Sequence, residues 1–265
     1  MKLKYLLPFL ILLSTFNTFA NSPAKPFAKL RVTVIFDTPY AYYENNSLVG
    51  YNIDLAKALA AKLDRQTDFL VCPVARCFVL MRNGQADILI DINKTPERQT
   101  YLSYLPPYKN QIEPLRFFTR KIDNIAIESH QSLSALRVGV IRGTSFSKQL
   151  QQESNIEIVP LNTQGQLIKM LHFGRIDAFL EREESLLNLV EYQQYKDELT
   201  ISTWHYSNET PSYLAVSKQS PLNNNITLIT DKLNELKRDG TIDKIFKTKK
   251  RLNNFKRFVF LYQVI

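Results

Sequence analysis

Phe78 to Asp91 reads FVLMRNGQADILID, and Ile168 to Glu181 reads IKMLHFGRIDAFLE. In each stretch a glycine ends a helical pattern, and an aspartate follows three residues after it. An apolar run then leads to an acidic residue seven residues after the glycine. Glycine readily adopts the positive φ that the end of a helix commonly needs. Two helix-to-strand junctions of the same design, one in each half of the chain, predict two similar lobes that face each other.

Strand and helix patterns alternate around these junctions, so each half predicts an α/β lobe with a mostly parallel sheet flanked by helices. In the first half the predicted strands are Leu30–Phe36, Thr67–Val71 and Ala86–Ile90, with helices at Tyr51–Leu63 and Arg76–Arg82. In the second half the predicted strands are Arg137–Ile141, Ile156–Val159 and Arg175–Leu180, with helices at Ser145–Leu150 and Gln164–His172. Two more helices are predicted at Ile226–Lys237 and Thr241–Phe246.

Two connections between the lobes are also predicted. Gln111–Phe118 is a strand-like passage into the second lobe, and Pro211–Ser217 is the return. Two crossings permit closure about a hinge, so we expect a ligand to bind between the lobes. The predicted boundaries are residues 28–115 plus 212–265 for lobe 1 and residues 116–211 for lobe 2.

The first residues have the layout of a secretory signal peptide. Lys2 and Lys4 precede the uncharged apolar run Tyr5–Leu13, and Thr18–Ala20 offers small residues before a cleavage point. A membrane span needs about 20 apolar residues, so a retained anchor is the weaker interpretation. We therefore predict a signal peptide at residues 1–20 and a soluble mature protein in the periplasm.

The composition is that of a globular protein, with 45% hydrophobic and 22% charged residues. The net charge of +9 falls to +7 when Lys2 and Lys4 are removed with the signal peptide. An exported protein rarely meets nucleic acid, and no stacking or groove-reading motif accompanies the charge. The positive charge is thus expected to serve solubility, with a small bias towards anionic ligands or membrane surfaces.

Cys72 and Cys77 are the two cysteines of the chain and are separated by four residues. In an oxidising compartment such a pair predicts a disulfide, here between a strand and the helix that follows it. Redox-active pairs use a two-residue spacer, which makes a structural role the better interpretation.

Six short motifs, in this order and at these spacings, resemble the family 3 extracellular solute-binding proteins, the periplasmic components of polar amino-acid transporters. The resemblance covers about residues 29 to 247, and it implies the two-lobed periplasmic-binding-protein fold of type II. The motifs are Leu48–Ala56 (LVGYNIDLA), Asn83–Asp87 (NGQAD), Thr95–Arg98 (TPER), Val138–Thr144 (VGVIRGT), Gly174–Ala178 (GRIDA) and Asp239–Thr241 (DGT).

The resemblance also implies a site for a carboxylate. The arginine of the T-x-E-R motif, here Arg98, pairs with the α-carboxylate of the ligand in such proteins, and a planar guanidinium suits that role. The alternative is a surface arginine that opens a helix. Thr144 and Ser145 lie where a helix N-terminus offers backbone N–H groups and hydroxyls to an anion.

Other ligand contacts are expected from strand ends and one loop. Asp91 and Glu181 end predicted strands, the edge at which open α/β sheets place ligand groups. The resemblance implies polar contacts from Asp91 and Asn93, and an aromatic cover from Tyr40. The alternative role for Tyr40 is to cap the edge of the core.

One position departs from the family pattern. The family places an aspartate for the α-ammonium of the ligand eight residues after the second glycine, where this chain has Arg182 between Glu181 and Glu183. Either Glu181 or Glu183 replaces the aspartate, or the ligand is no α-amino acid and carries two anionic groups. The sequence leaves both alternatives open.

The predicted function is capture of a small polar, carboxylate-bearing ligand, an amino acid or organic acid, for the membrane permease of an ABC-type importer. The predicted protein is a monomer that uses no cofactor, no metal and no nucleic acid. One rival function is presentation of the ligand to a membrane sensor. The other is a cleft enzyme similar to cyclohexadienyl dehydratase, although no common catalytic or metal-binding motif is present.

The tail after Lys247 is basic and then apolar, ending in Phe258–Ile265 (FVFLYQVI). This run is too short to span a bilayer. It is expected to pack on lobe 1 as a final strand, the alternative being contact with an anionic membrane surface.

Overall fold

The computed structural model describes residues 29–111, 114–151, 155–206 and 210–247. The predicted signal peptide and the predicted packing of the C-terminal tail concern residues outside these ranges. The strands, in chain order, are β1 (Leu30–Val34), β2 (Tyr42–Glu44), β3 (Ser47–Val49), β4 (Thr67–Val71), β5 (Ile88–Ile92), β6 (Leu102–Tyr104), β7 (Lys109–Gln111), β8 (Leu115–Arg120), β9 (Arg137–Ile141), β10 (Glu157–Leu161), β11 (Ala178–Glu181), β12 (Leu199–Tyr206) and β13 (Thr210–Ser217). The α-helices are α1 (Tyr51–Lys62), α2 (Val74–Arg82), α3 (Pro96–Gln99), α4 (Ser145–Gln151), α5 (Gln164–His172), α6 (Glu183–Leu186), α7 (Val190–Tyr195), α8 (Ile226–Arg238) and α9 (residues 241–247).

The first sheet has the strand order β4–β1–β5–β13–β6, with β7 also paired to β13. Strands β4, β1 and β5 are parallel, whereas β13 is antiparallel to β5, β6 and β7. Neighbouring residues of a strand point to opposite sides, so both faces of the sheet carry apolar side chains, and helices cover both. Ile88 packs in the cluster that holds α1 and α8, while Leu89 packs with Phe78 and Met81 of α2.

The second sheet repeats this plan in the order β10–β9–β11–β8–β12. Strands β10, β9 and β11 are parallel, and β8 is antiparallel to both β11 and β12. Phe118 and Phe179 stack with ring centroids 4.8 Å apart on the face that α5 covers. Phe117 packs in the cluster of the other face, stacked 5.5 Å from Trp204. The predicted two-lobed α/β fold is confirmed, with an antiparallel half in each sheet beside the parallel strands.

The aspartate of each repeated motif ties its own loop to the first strand of its sheet. In the first sheet, Asp87 accepts hydrogen bonds from the backbone N–H of Arg31 (2.9 Å) and from its guanidinium (2.7 and 3.1 Å). In the second sheet, Asp177 accepts the same set from Arg137 at 2.8, 2.7 and 3.0 Å. The repeated pattern in the sequence is therefore a repeated Asp–Arg clamp.

This clamp also explains why two strands begin later than predicted. The predicted strands include Asp87 and Asp177, but β5 and β11 begin just after these residues. Each aspartate forms hydrogen bonds to the clamped arginine with both its carboxylate and its backbone N–H. Asp87 N–H donates to Arg31 O and Asp177 N–H donates to Arg137 O, both at 2.8 Å.

The chain passes between the two sheets twice, as predicted, once between β7 and β8 and once between β12 and β13. Residues of β7 pair antiparallel with the start of β13, with Gln111 opposite Thr210 and Lys109 opposite Ser212. Across the second sheet, Leu115 of β8 lies opposite Tyr206 of β12. The exact lobe boundaries, 28–115 with 212–265 and 116–211, stay a prediction.

The loop after β1 contains structure that the sequence patterns did not predict. Strands β2 and β3 form a hairpin in which Asn45 and Asn46 both have positive φ, as the two central residues of a tight hairpin turn require. Gly50 then precedes α1 with φ 133°, and a Cβ there would lie 2.2 Å from Tyr40 O. The hairpin thus returns the chain closely against Tyr40.

The predicted disulfide is present. Cys72 and Cys77 are joined by an S–S bond of 1.99 Å, and both side chains are buried. The bond spans the turn from β4 into α2, which is the position predicted for it. In the part of the chain that the structure describes, no helix has the length and apolar character of a membrane span.

The two clamps should differ in their contribution to stability. Asp87 is more deeply buried than Asp177 and also accepts a 2.6 Å hydrogen bond from Ser220. We expect Asp87→Ala to lower the free energy of unfolding by about 3 kcal/mol and Asp177→Ala by about 1 kcal/mol. Urea unfolding at pH 7 measures both, and equal losses would contradict this ranking.

Acidification should remove the contribution of both clamps. Burial alone would raise the pKa of Asp87, but hydrogen bonds from Arg31 and Ser220 outweigh it and lower the pKa. The hydrogen bond from Arg137 lowers the pKa of Asp177. A carboxylate with a lowered pKa stabilises the fold above its unfolded-state pKa of about 4 and loses that effect below it. The difference between wild type and each variant should therefore shrink as the pH falls below about 4.

Candidate functional site

A cavity of about 140 Å³ lies between the carboxyl ends of the parallel strands of the two sheets. Its wall includes seven of the eight residues predicted from the sequence to contact a ligand: Asp91, Asn93, Arg98, Thr144, Ser145, Glu181 and Arg182. Tyr40 is not among the described residues of the wall.

Arg98 is held in place by α3. Thr95 caps this helix by accepting a hydrogen bond from Arg98 N–H (3.2 Å), and Pro96 occupies its first turn. The guanidinium stacks 4.0 Å from the ring centroid of Phe78. It donates to Asn93 O and, across the cleft, to Gly143 O, both at 2.9 Å.

The charge of Arg98 is the most informative feature of the cavity. The residue is 7% exposed, yet no carboxylate of the described residues lies within ion-pair distance of its guanidinium. Burial lowers the pKa of Arg98, but an arginine keeps its proton in proteins. A buried charge is costly unless it is paired, so this site is suited to an anion.

The polar groups next to Arg98 link the two lobes. Asn93 Nδ2 donates to Ser145 Oγ across the cleft at 2.9 Å. Gly143 approaches the first lobe so closely that a Cβ there would lie 3.1 Å from Ala75 Cα. Thr144 donates its hydroxyl to Ile141 O (2.9 Å) and accepts from Ser147 N–H (3.1 Å), so this hydroxyl caps α4.

Acidic groups gather at the other end of the cavity. Glu181, at the end of β11, is 7% exposed and accepts a 2.8 Å hydrogen bond from Arg182 N–H. Burial and repulsion from Asp37 raise the pKa of Glu181 to about 7. Burial also raises the pKa of Asp37, to about 6, against the attraction of Arg182. Glu183, the alternative to Glu181 in the sequence, does not line the described cavity.

Arg182 lies among these acids. Burial would lower its pKa, but attraction from Asp37, Glu181 and Asp91 raises it. Its Nε has no hydrogen-bond partner among the described residues, and neither has Oδ1 of Asp37. The positive charge of Arg182 therefore faces acids of the protein, which makes it a poor second anion site.

Tyr40 contacts Lys109, a residue that also binds Asp91. Its side chain is buried, and the Nζ of Lys109 lies 3.9 Å from its ring centroid. The same Nζ forms an ion pair with Asp91 Oδ2 at 3.1 Å. One face of the ring predicted to cover the ligand is thus covered by a lysine of the protein. Its role as ligand cover stays a prediction.

Sequence reasoning missed several residues of this site, among them Asp37, Phe78 and Lys109. Asp37 follows β1, so the strand-end rule that selected Asp91 and Glu181 could have found it. Phe78, under Arg98, had the pattern of an ordinary core residue of α2. Lys109 lies in the three-residue strand β7 and had no local signal, because only the chain crossing brings it to Asp91. Among the described residues, no group of three or more His, Cys, Asp or Glu side chains could hold a metal ion.

Residues 30–248 match the sequence profile of the bacterial extracellular solute-binding proteins, family 3. The chain belongs to this family. The match begins at β1 and runs through α9, so it includes both sheets and the cavity between them.

Two named proteins and one solved structure are similar to most of the chain. The chain is 29% identical over 218 residues to the amino-acid-binding protein AabA of Dichelobacter nodosus, covering 79% of this chain and 82% of that protein. It is 26% identical over 207 residues to ABC transporter arginine-binding protein 1 of Escherichia coli strain K12, covering 76% and 81%. An ancestral arginine-binding protein bound to glutamine is 26% identical with a TM-score of 0.70, covering 83% and 96%.

The raised pKa of Glu181 predicts a pH-dependent stability of the ligand-free protein. The folded state keeps this proton more tightly than the unfolded chain, so stability falls as the pH rises from about 4.5 through 7. Glu181→Gln should remove this loss. Its free energy of unfolding should exceed that of wild type by about 2 kcal/mol at pH 8 and differ little from it at pH 5. Urea unfolding at both pH values measures the effect. Glu183→Gln is the control, and a matching gain in that variant would contradict the assignment to Glu181.

Proposed function

We propose that this family 3 protein captures a small α-amino acid between its lobes and delivers it to the membrane permease of an ABC-type importer. The observation that carries this proposal is the buried guanidinium of Arg98, which has no carboxylate within ion-pair distance among the described residues. A ligand carboxylate would supply the missing charge through paired hydrogen bonds. Asn93 and Ser145, which are hydrogen-bonded to each other across the cleft, lie beside that position.

The ammonium of the ligand is assigned to Glu181, with Asp37 as a second acid. Both line the cavity, and the unpartnered Oδ1 of Asp37 offers an acceptor. A cation bound between them would favour their ionised forms, which burial otherwise disfavours. A ligand with two anionic groups is the weaker alternative, because the positive charge of Arg182 is already offset by acids.

The size of the cavity supports a small ligand. An apolar cavity of about 150 Å³ accommodates benzene, and the cavity here is about 140 Å³. The contacts of Arg98 and Asn93 with the second lobe support capture by lobe closure. We assign the protein to the periplasm as a monomer without catalytic activity.

Replacing Arg98 should abolish tight binding. A buried charged hydrogen bond is worth on the order of 2–5 kcal/mol, so we expect Arg98→Met to weaken amino-acid binding by at least about tenfold. Arg98→Lys keeps the charge but loses the planar fork, and it should recover only part of the affinity. Calorimetric titration of the mature protein with neutral amino acids measures the effect. Arg175→Met, at an exposed arginine, is the control. Unchanged affinity in both Arg98 variants would refute the role of Arg98.

Binding should also strengthen with pH. Because the ammonium needs an ionised Glu181, affinity should fall by at least about tenfold from pH 7.5 to pH 5, and binding near pH 6 should release protons. Titration in buffers of different ionisation enthalpy counts these protons. Glu181→Gln should bind weakly at both pH values. A wild-type affinity that does not vary over this range would mean that the ligand has no cation at Glu181.

A further inference from the structure

Lys109 fills a position next to the cavity that is suited to a cation. Its ammonium lies 3.9 Å from the ring centroid of Tyr40, 5.0 Å from that of Phe246 and 3.1 Å from Asp91 Oδ2. Aromatic faces and a carboxylate together bind a cation more strongly than either group alone does in water. Lys109 and Asp91 are each 14% exposed in their side chains, so the pair is largely shielded from solvent.

This position adjoins the ligand cavity through Asp91. Asp91 lines the cavity with one part of its surface and holds Lys109 with Oδ2. Asp37 is near enough to interact electrostatically with both Asp91 and Lys109. Asp91 itself has φ 65°, a backbone conformation that is unfavourable for a residue with a side chain and is common at functional sites.

The charges around the cavity balance when Lys109 is counted. The acids Asp37, Asp91 and Glu181 carry three negative charges when ionised, and the cavity wall also holds Arg98 and Arg182. Lys109 supplies the third positive charge through its ion pair with Asp91. A neutral zwitterion keeps this balance, whereas an amino acid with a cationic side chain would add an uncompensated positive charge.

We propose that Lys109 determines ligand specificity by occupying, as part of the protein, the place that the cationic side chain of a ligand would take between Tyr40 and Asp91. The inference rests on the proposed amino-acid function and goes further by naming the substrate class. The chain binds small amino acids with uncharged side chains, and it discriminates against arginine and lysine. This separates it from the relatives that are named as arginine-binding proteins.

The test is to remove the lysine and measure the change in preference. Wild type, Lys109→Met and Lys109→Gln are titrated calorimetrically with L-alanine, L-serine, L-glutamine, L-arginine and L-lysine. We expect wild type to bind the best neutral amino acid at least about tenfold more tightly than arginine. Both variants should shift this ratio towards arginine by at least about tenfold, since one charge-assisted hydrogen bond is worth that much.

Two features of the design guard against a folding artefact. Lys109→Met removes the ion pair at Asp91 Oδ2, whereas the amide of Lys109→Gln can still donate to Asp91 without carrying a charge. Thermal unfolding of each variant checks the fold, and arginine should raise the melting temperature of the variants more than that of wild type. Lys57→Met is the control, because Lys57 is exposed on α1 and its loss removes one charge far from Asp91 in the sequence.

The outcomes separate this inference from the proposed function. If wild type binds arginine as tightly as the neutral amino acids, or if both Lys109 variants keep the wild-type ratio, the role of Lys109 is refuted while the amino-acid function stands. A shift of equal size in Lys57→Met also refutes it. If no amino acid binds to wild type or to either Lys109 variant, the proposed function fails, and the inference fails with it.

Discussion

The buried guanidinium of Arg98 carries a positive charge that the described part of the protein does not neutralise with a carboxylate. Its position depends on α3, whose cap at Thr95 sets the direction of the side chain, and on Phe78 beneath it. Its second hydrogen bond reaches Gly143 in the other lobe, so the guanidinium that joins the lobes is also the one suited to bind an anion. A ligand carboxylate at this point would neutralise the charge of Arg98 and would also stabilise the closed arrangement of the lobes.

The opposite end of the cavity gathers negative charge, because the acids Asp37, Asp91 and Glu181 share one small volume. Asp37 and Glu181 are shifted towards their neutral forms, while Arg182 and Lys109 each offset part of the negative charge. The arginine that replaces the usual aspartate of the family is thus accommodated by acids around it. The zwitterion proposed as ligand would complete both ends at once, with its carboxylate on Arg98 and its ammonium among the acids.

Much of the fold could be predicted because its signals are local. The helix α5 and the strands β4 and β9 have the predicted bounds. The apolar period lies within each segment and, for α5, the cap Thr163 precedes the helix and Gly174 follows it closely. The strands β6, β7 and β12 were missed because they are short or lie at the edges of sheets, where one side is exposed and the apolar pattern is weak. The twin aspartates were recognised as a pattern, but their partners Arg31 and Arg137 lie 56 and 40 residues away and gave no local sign of the clamp.

The sequence by itself determined the family, the two-lobed α/β fold, the Cys72–Cys77 disulfide and seven residues of the cavity wall that follow strand ends or lie in motifs. These properties depend on residue type and spacing along one segment, which a sequence states directly. Only the tertiary structure decided that Glu181 and not Glu183 faces the cavity, that acids surround Arg182, and that Lys109 covers Tyr40. Charge balance is a property of groups that meet in space, and the groups at this site come from distant parts of the chain.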